Sequence, residues 1–262
     1  MMRLLLPRVL VSALAVLAFA LPATALPVGF EMIWSAEDSE TGESLGLYYL
    51  EDLMNLGLLD ETENPALGTV GVELNATAEW PTGWSVTSAS TQVKEDPFIT
   101  NNFVVTNNTG VTTTFTFAVS SPIPAFNASK IVESNILIQL NDDDNAGGAT
   151  LTSDAPTSVY EAFVNGGSVL TLLDDPYLLT CTSPSDCSPP GVANGQDGDE
   201  VIAQAFGPVV ATSIGITVKF TLSPGDSAAV LSRFEIVPEP GTALLVGFGL
   251  LAMAGARRRA AR

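Results

Sequence analysis

Residues 213–238 read SIGITVKFTLSPGDSAAVLSRFEIVP, and this stretch decides the fold class. Apolar side chains occupy every second position over residues 214–222, with small or polar residues between them. Residues 223–226, Ser-Pro-Gly-Asp, have the composition of a turn, and the alternation resumes over residues 230–236. A period of two is typical of a strand with one buried face, so the stretch predicts an antiparallel hairpin.

The same alternation appears elsewhere in the chain. It covers residues 70–80, continues over 111–119 after a turn at 107–110, and flanks Asn-Gly-Gly at 165–167. Strands separated by such turns predict an all-β fold, an antiparallel β-sandwich of immunoglobulin-like or jelly-roll-like type. Strands of parallel α/β sheets are more continuously apolar. Residues 44–59 have a helical spacing, weakened by two glycines, that predicts a short helix only.

The charged residues exclude several classes of function. The chain of 262 residues has 29 acidic residues against 10 basic ones, and it has no histidine. Ser-His-Asp and Cys-His nucleophile pairs and His-ligated zinc sites are therefore excluded. Between Glu31 and Glu239 lie all the acids but only four bases, a net charge of −25. Such a segment repels phosphate backbones, so nucleic acid is not expected as a partner, whereas divalent cations could bind.

The first 25 residues have the pattern of a secretory signal peptide. Arg3 and Arg8 give a basic start, residues 9–21 form an apolar run, and Ala23 and Ala25 supply a small-x-small cleavage site. The alternative is an uncleaved anchor helix, for which the apolar run is short. Cleavage after Ala25 and export into an oxidising compartment are therefore expected.

The C-terminus has three parts in a fixed order. Pro238-Glu239-Pro240 comes first, residues 241–256 follow without a charge, and Arg257-Arg258-Arg259 and Arg262 close the chain. At about 1.5 Å per residue a helix over 241–256 is about 24 Å long, and the arginines can extend it to the head groups. The basic end would remain cytoplasmic and the acidic domain would face outward. By composition alone, an ordinary tail anchor is the alternative.

This three-part terminus resembles the PEP-CTERM sorting signal of exported bacterial proteins. The resemblance implies recognition by an exosortase, a membrane protease that cleaves near Pro238-Glu239-Pro240. Together the two ends predict a signal peptide (1–25), an extracellular β domain (26–237) and a sorting signal (238–262) that anchors the chain transiently in the inner membrane. The prolines and Glu239 are then substrate residues for another enzyme.

Three acidic clusters are candidates for Ca²⁺, which prefers carboxylate oxygens in flexible loops. The first comprises Asp142, Asp143 and Asp144, and a second contains Asp197 and Asp199. Asp174-Asp175 is the third. The first cluster lacks the EF-hand pattern, and a solvated acidic turn between strands is the alternative for each cluster.

Two residue pairs in the predicted domain each allow a structural and a functional interpretation. Cys181 and Cys187 are expected to form a local disulfide after export, since they lack the Cys-x-x-Cys spacing of a redox pair. Trp80 and Trp84 flank a turn, where they could present a sugar-stacking surface or belong to the core.

The sequence therefore predicts a non-catalytic protein of the cell envelope or extracellular matrix with a structural or adhesive role. The alternative is a Ca²⁺-dependent module that binds carbohydrate, in particular exopolysaccharide. No general acid and base can be chosen among the carboxylates from spacing alone.

Overall fold

The structure is a computed structural model that describes residues 25–94, 97–125, 130–144, 147–181, 201–208 and 212–238. The described chain is almost entirely β. Its strands are β1 Glu31–Asp38, β2 Ser44–Tyr49, β3 Leu59–Asn64, β4 Thr69–Leu74, β5 Ala78–Glu79, β6 Trp84–Lys94, β7 Phe98–Asn107 and β8 Thr113–Pro122. They continue with β9 Lys130–Asn141, β10 Ala149–Thr152, β11 Tyr160–Val164, β12 Gly167–Leu172, β13 Leu178–Cys181, β14 Val201–Gly207, β15 Ser213–Leu222 and β16 Ser227–Pro238. One short helix, α1, spans Leu50–Asn55.

The strands form two antiparallel sheets, which confirms the predicted β-sandwich. Sheet A has the order β12-β11-β15-β8-β1-β2; β10 also pairs with β15, and β13 pairs with β10. Sheet B has the order β14-β9-β16-β7-β6-β4-β3, with β5 beside β6. Strand β16 is thus a central strand of sheet B, paired with β9 along its whole length. The core between the sheets is aromatic: the ring of Phe103 stacks on that of Phe117 with centroids 3.8 Å apart.

The alternation predicts the strongest strands correctly because one face of each is buried. The two strands predicted at 213–238 are β15 and β16, but the prediction that they pair as a hairpin is wrong, because the turn between them crosses from sheet A to sheet B. Strands β11 and β12 form the predicted hairpin around Asn165-Gly166. Both turn residues there have positive φ, of 54° and 76°, which Asn and Gly tolerate.

The prediction of one strand over residues 70–80 is wrong, because the segment forms two. Strands β4 and β5 both pair with β6, and β6 contains a bulge between Val86 and Ser88. Between the pairing of β4 and the pairing of β5 the register on β6 shifts by one residue, and residues 75–77 lie outside both strands although their sequence continues to alternate. The predicted short helix is α1, which is confined to six residues of 44–59; Gly57, with φ +68°, follows its end.

Three of the connections between the two sheets lie at the same end of the sandwich. Residues 108–112 lead from β7 to β8, and residues 142–148 lead from β9 to β10. Residues 223–226 form the tight turn from β15 to β16. This end, called the crossover end below, is where β16 begins. At its other end, β16 finishes at Pro238 beside Lys130.

Candidate metal centre

Three carboxylates converge at the crossover end. Asp142 and Asp144 come from the β9–β10 connection, and Asp226 comes from the β15–β16 turn. One oxygen of each lies within 4.8 Å of an oxygen of the other two. Asp142 and Asp226 are buried, with 7% and 1% of their surface exposed, whereas Asp144 is exposed. The arrangement therefore brings the β9–β10 connection and the β15–β16 turn together at one point.

The turn that carries Asp226 is fixed by Asn107, the last residue of β7. The Asn107 backbone N–H donates to Asp226 O (2.8 Å), and Gly225 N–H donates to Asn107 O (2.6 Å). The Asn107 side-chain amide donates to the carbonyls of Val111, Leu222 and Ser223 at 2.9–3.1 Å. Asn107 is fully buried, so this one side chain joins two of the three crossover connections.

The carboxylate of Asp226 has one satisfied and one unsatisfied oxygen. Ser223 Oγ donates a short hydrogen bond to Oδ2, whereas Oδ1 is buried and accepts no hydrogen bond. Burial raises the pKa of Asp226 to about 6, against the lowering effect of the Ser223 hydrogen bond. The negative charges of Asp144, Asp142 and Asp143 also raise the pKa, as smaller causes.

The two loop carboxylates are also constrained. Gly148 N–H donates to Asp142 Oδ2 at 3.1 Å, which closes the loop on its first residue. The side chain of Asp144 lies over Gly225, where any Cβ would overlap with it. Gly225 has φ +83°, so the turn needs glycine both for its backbone and for this close approach.

The group has the chemistry of a site for a hard cation. Its donors are carboxylate oxygens, the ligands that Ca²⁺ and Mg²⁺ prefer. Two buried carboxylates near a third are costly unless a positive charge or hydrogen bonds compensate them. A divalent cation would supply that charge.

The structure assigns the predicted acidic residues to different places. Asp142 and Asp144 are in the group, and Asp143 is exposed in the same loop but outside it. Asp197 and Asp199 lie outside the described residues. Sequence reasoning missed Asp226, because it interpreted residues 223–226 only as a turn. An acidic residue in a tight turn between two strong strands is the signal that could have drawn attention to it.

Each carboxylate of the third acidic cluster accepts a hydrogen bond from a serine. Asp174 Oδ1 accepts a hydrogen bond from Ser158 (2.7 Å), and Asp175 Oδ1 accepts one from Ser153 (2.6 Å). The pKa of Asp174 is lowered, first by the hydrogen bond from Ser158. Within the described ranges, these two acids do not gather with a third carboxylate at ligand distance.

The two tryptophans are core residues and do not form a sugar-stacking surface. Trp80 and Trp84 are both buried, and their rings stack with centroids 3.7 Å apart. The indole N–H of Trp84 donates to Leu45 O at 3.3 Å, and its ring packs against Phe115. Gly46 leaves room for the Trp84 ring, which a Cβ there would contact at 3.1 Å.

Cys181 ends β13, where it is buried and paired with Ala149 at the start of β10. Its expected partner, Cys187, lies outside the described residues, so the disulfide stays a prediction. The pairing with Ala149 places Cys181 next to the β9–β10 connection, at the crossover end.

The two predicted processing segments lie almost wholly outside the described residues. Ala25 is described but Ala23 is not, and the described chain ends at Pro238, before Glu239, Pro240 and the arginines. Among the described residues, none lies in a helix with the length and apolarity that a bilayer span requires. The predicted helix over 241–256 is not among them.

Comparison with known families identifies the C-terminus. Residues 237–259 match the family of the PEP-CTERM protein-sorting motif. The chain carries a PEP-CTERM sorting signal. The PEP-CTERM signal marks an exported protein of the cell envelope or extracellular space that an exosortase processes, as the resemblance implied.

Beyond the PEP-CTERM signal, the comparisons add little. No curated protein matches the chain. Among solved structures, the chain is similar to TmCBM61 in complex with β-1,4-galactotriose, with 12% identity and a TM-score of 0.24. The match covers 62% of this chain and 87% of that one. At this TM-score, the similarity carries no argument about function.

Proposed function

We propose that the protein is a structural or adhesive component of the bacterial cell envelope or extracellular matrix and that it acts without catalysis. The observation that carries this proposal is the continuity between sheet B and the sorting signal. Pro238 is both the last residue of β16 and the first of Pro-Glu-Pro. A central strand therefore leads into the processing site without a linker, and cleavage there keeps every described strand in the product.

The division into a signal peptide (1–25), a β domain (26–237) and a sorting signal (238–262) belongs to this proposal. Before cleavage, the apolar segment 241–256 anchors the chain in the inner membrane with Arg257, Arg258 and Arg259 on the cytoplasmic side. After cleavage, the folded sandwich is the exported product. The exosortase is then a processing partner and not a lasting one.

The charge of the domain supports a role in contacts with other polymers. The strongly acidic segment between Glu31 and Glu239 keeps the protein soluble, and divalent cations can bridge it to other anionic polymers.

Carbohydrate binding is the alternative function, but the structure does not show the feature that most favoured it in the sequence. That feature is a pair of exposed tryptophan rings, whereas Trp80 and Trp84 are both in the core. We therefore treat glycan binding as an outcome of the test and do not propose it. A glycan array probed with and without chelator gives that outcome directly, since Ca²⁺-dependent binding to a defined polysaccharide would replace the structural role.

The first experiment tests the processing that the proposal requires. In a host with the matching exosortase, the envelope fraction should contain protein that lacks residues 241–262, as measured by mass spectrometry. Changing Glu239→Ala should make the tailed form accumulate, whereas Glu235→Ala, four residues earlier in β16, should not. Intact Arg262 in most of the wild-type protein would overturn the proposal.

The second experiment tests the role itself. Deletion of the gene in that host should reduce the mass or cohesion of the extracellular matrix, or the attachment of cells to a surface. Complementation with the wild-type chain should restore the lost property, and complementation with the Glu239→Ala chain should not. A deletion strain with an unchanged matrix and unchanged attachment would contradict a structural or adhesive role.

A further inference from the structure

Asp226 is a buried acid whose surroundings lack the partner that it needs. Only 1% of its surface is exposed, and Oδ1 accepts no hydrogen bond. Ser223 satisfies the other oxygen. The charged groups that act on its carboxylate are the carboxylates of Asp142, Asp143 and Asp144, all of the same sign. A carboxylate in this position is expected to be neutralised, by a proton or by a cation.

The turn holds this carboxylate rigidly toward the loop. Asn107 fixes the turn through hydrogen bonds with Ser223, Gly225 and Asp226, and Ser223 fixes Oδ2. Oδ1 remains the oxygen of this carboxylate without a hydrogen bond, which leaves it available to a ligand. A ligand oxygen whose position is set before binding loses little conformational freedom on binding, which favours a metal site over an incidental contact.

We propose that Asp142, Asp144 and Asp226 bind one Ca²⁺ ion that ties the β9–β10 connection to the β15–β16 turn at the crossover end. This site goes beyond the proposed envelope role, because it would exist whatever the protein contacts. Its failure would leave that role intact, and the failure of processing would leave the site intact.

Ca²⁺ fits the donor set better than the other common divalent cations. Ca²⁺ accepts six to eight oxygen ligands in a flexible geometry, whereas Mg²⁺ requires near-octahedral geometry and loses its water reluctantly. The oxygens of the three carboxylates lie within 4.8 Å of one another, so one ion can bind all three. Zinc and copper favour histidine or cysteine ligands, and the chain has no histidine. Backbone carbonyls and water would complete the six to eight ligands.

The site would act as a clamp between the two sheets. The β9–β10 connection leaves sheet B for sheet A, and the β15–β16 turn returns from sheet A to sheet B. An ion held by both connections would add to the hydrogen bond from Ser223 N–H to Thr150 O, which already joins the turn to β10. Extracellular Ca²⁺ sites commonly have dissociation constants of about 0.1–1 mM. At 10 mM Ca²⁺ such a site should raise Tm by about 3–10 °C for a domain of this size.

The experiment uses the exported, processed protein, freed of metals with EDTA and then dialysed at neutral pH. Isothermal titration with CaCl₂ should give one site per chain, and Tm should rise more in CaCl₂ than in MgCl₂ at equal ionic strength. Asp226→Asn and Asp144→Asn should each remove most of this difference. Asp143→Asn, which removes the same charge from the same loop outside the group, should retain it.

The choice of two variants keeps the test decisive even if one of them fails to fold. Asp144 is exposed, so Asp144→Asn should fold even if the buried Asp226→Asn does not. Equal Tm shifts from Ca²⁺ and Mg²⁺ in the wild-type protein would overturn the proposal, because they would indicate charge screening alone. A Ca²⁺-specific shift that survives in Asp144→Asn and in folded Asp226→Asn would also overturn it.

Discussion

The two ends of β16 differ in how their chemistry is encoded. At Pro238 the strand enters a sorting signal that is readable as a linear motif, because all of its parts are adjacent in sequence. At Ser227, about 36 Å away for eleven residues of strand, the chemistry arises from segments far apart in sequence. Asp142 and Asp226 come together there only because β9 and β16 are neighbours in sheet B.

The two ends of β16 therefore differ in whether their function depends on the fold. A processing enzyme can recognise the tail as an extended chain, so the tail needs no fold of its own to be read. The acidic group needs the fold, since both of its connections must cross between the sheets at the same end. We therefore expect changes at the crossover end to alter stability and cation binding, and changes beyond Pro238 to alter processing alone.

The largest effect on stability is expected for Asn107→Ala. Its buried amide serves three carbonyls from two connections, and the substitution leaves these groups without their donor. The free energy of unfolding should fall by about 2–4 kcal/mol, as measured by urea denaturation. Asn108→Ala, at the exposed neighbouring position, is the control and should cost less than about 0.5 kcal/mol. Equal losses would mean that Asn107 does not hold this end together.

The next effect concerns the predicted disulfide beside the same end. The purified exported protein should contain no free thiol and should gain two labels after reduction, as counted by mass spectrometry. Replacing both Cys181 and Cys187 by Ser should lower the free energy of unfolding by at most about 2–3 kcal/mol, because the closed loop is short. Quantitative labelling before reduction would refute the bond.

The sequence predicted what depends on local pattern. Strands β15 and β16 and the hairpin at Asn165-Gly166 follow from alternation and turn residues, which act over a few positions. The break between β4 and β5 could not be predicted, because it accompanies a one-residue shift in how the two strands pair with β6. Register mismatches of this kind arise between strands and leave no mark in the strand that is interrupted.

The same reasoning explains the partial prediction of the acidic group. Asp142 and Asp144 were candidates because they lie in one acidic run, whereas Asp226 stands alone in its turn. Which turn meets the loop depends on the order of strands in the sheets, and alternation does not specify that order. Burial was equally hidden: Asp142 and Asp143 are adjacent in sequence, yet one is buried and the other is exposed.

A smaller effect is expected for Gly225→Ala, and it has a matched control. Gly225 and Gly110 both have positive φ, of 83° and 79°, so alanine at either carries a similar backbone penalty of about 1 kcal/mol. A Cβ at Gly225 would overlap with Asp144, whereas a Cβ at Gly110 would meet open space. Gly225→Ala should therefore cost more than Gly110→Ala by thermal denaturation, and it alone should weaken the response to Ca²⁺. Equal behaviour of the two variants would show that Asp144 moves away without consequence.

The smallest effect is expected near the tail, for Arg233→Ala. The guanidinium lies 5.0 Å from the centre of the Phe98 ring and donates to the Glu235 carboxylate, and both charged side chains are substantially exposed. Exposed ion pairs and exposed cation–π contacts each contribute about 1 kcal/mol or less. The hydrogen bond from Tyr160 to the Arg233 carbonyl involves only backbone at Arg233, so the substitution leaves it in place.

Arg233→Ala should therefore lower the free energy of unfolding by no more than about 1 kcal/mol in urea at low salt. In 1 M NaCl, where the screening length is about 3 Å, the difference from wild type should shrink further. Exosortase processing and the Ca²⁺-dependent rise in Tm should both be unchanged, because the residue belongs neither to the motif nor to the acidic group. A loss as large as that of Asn107→Ala would contradict the comparison, since stability would then depend on side-chain contacts at both ends of β16.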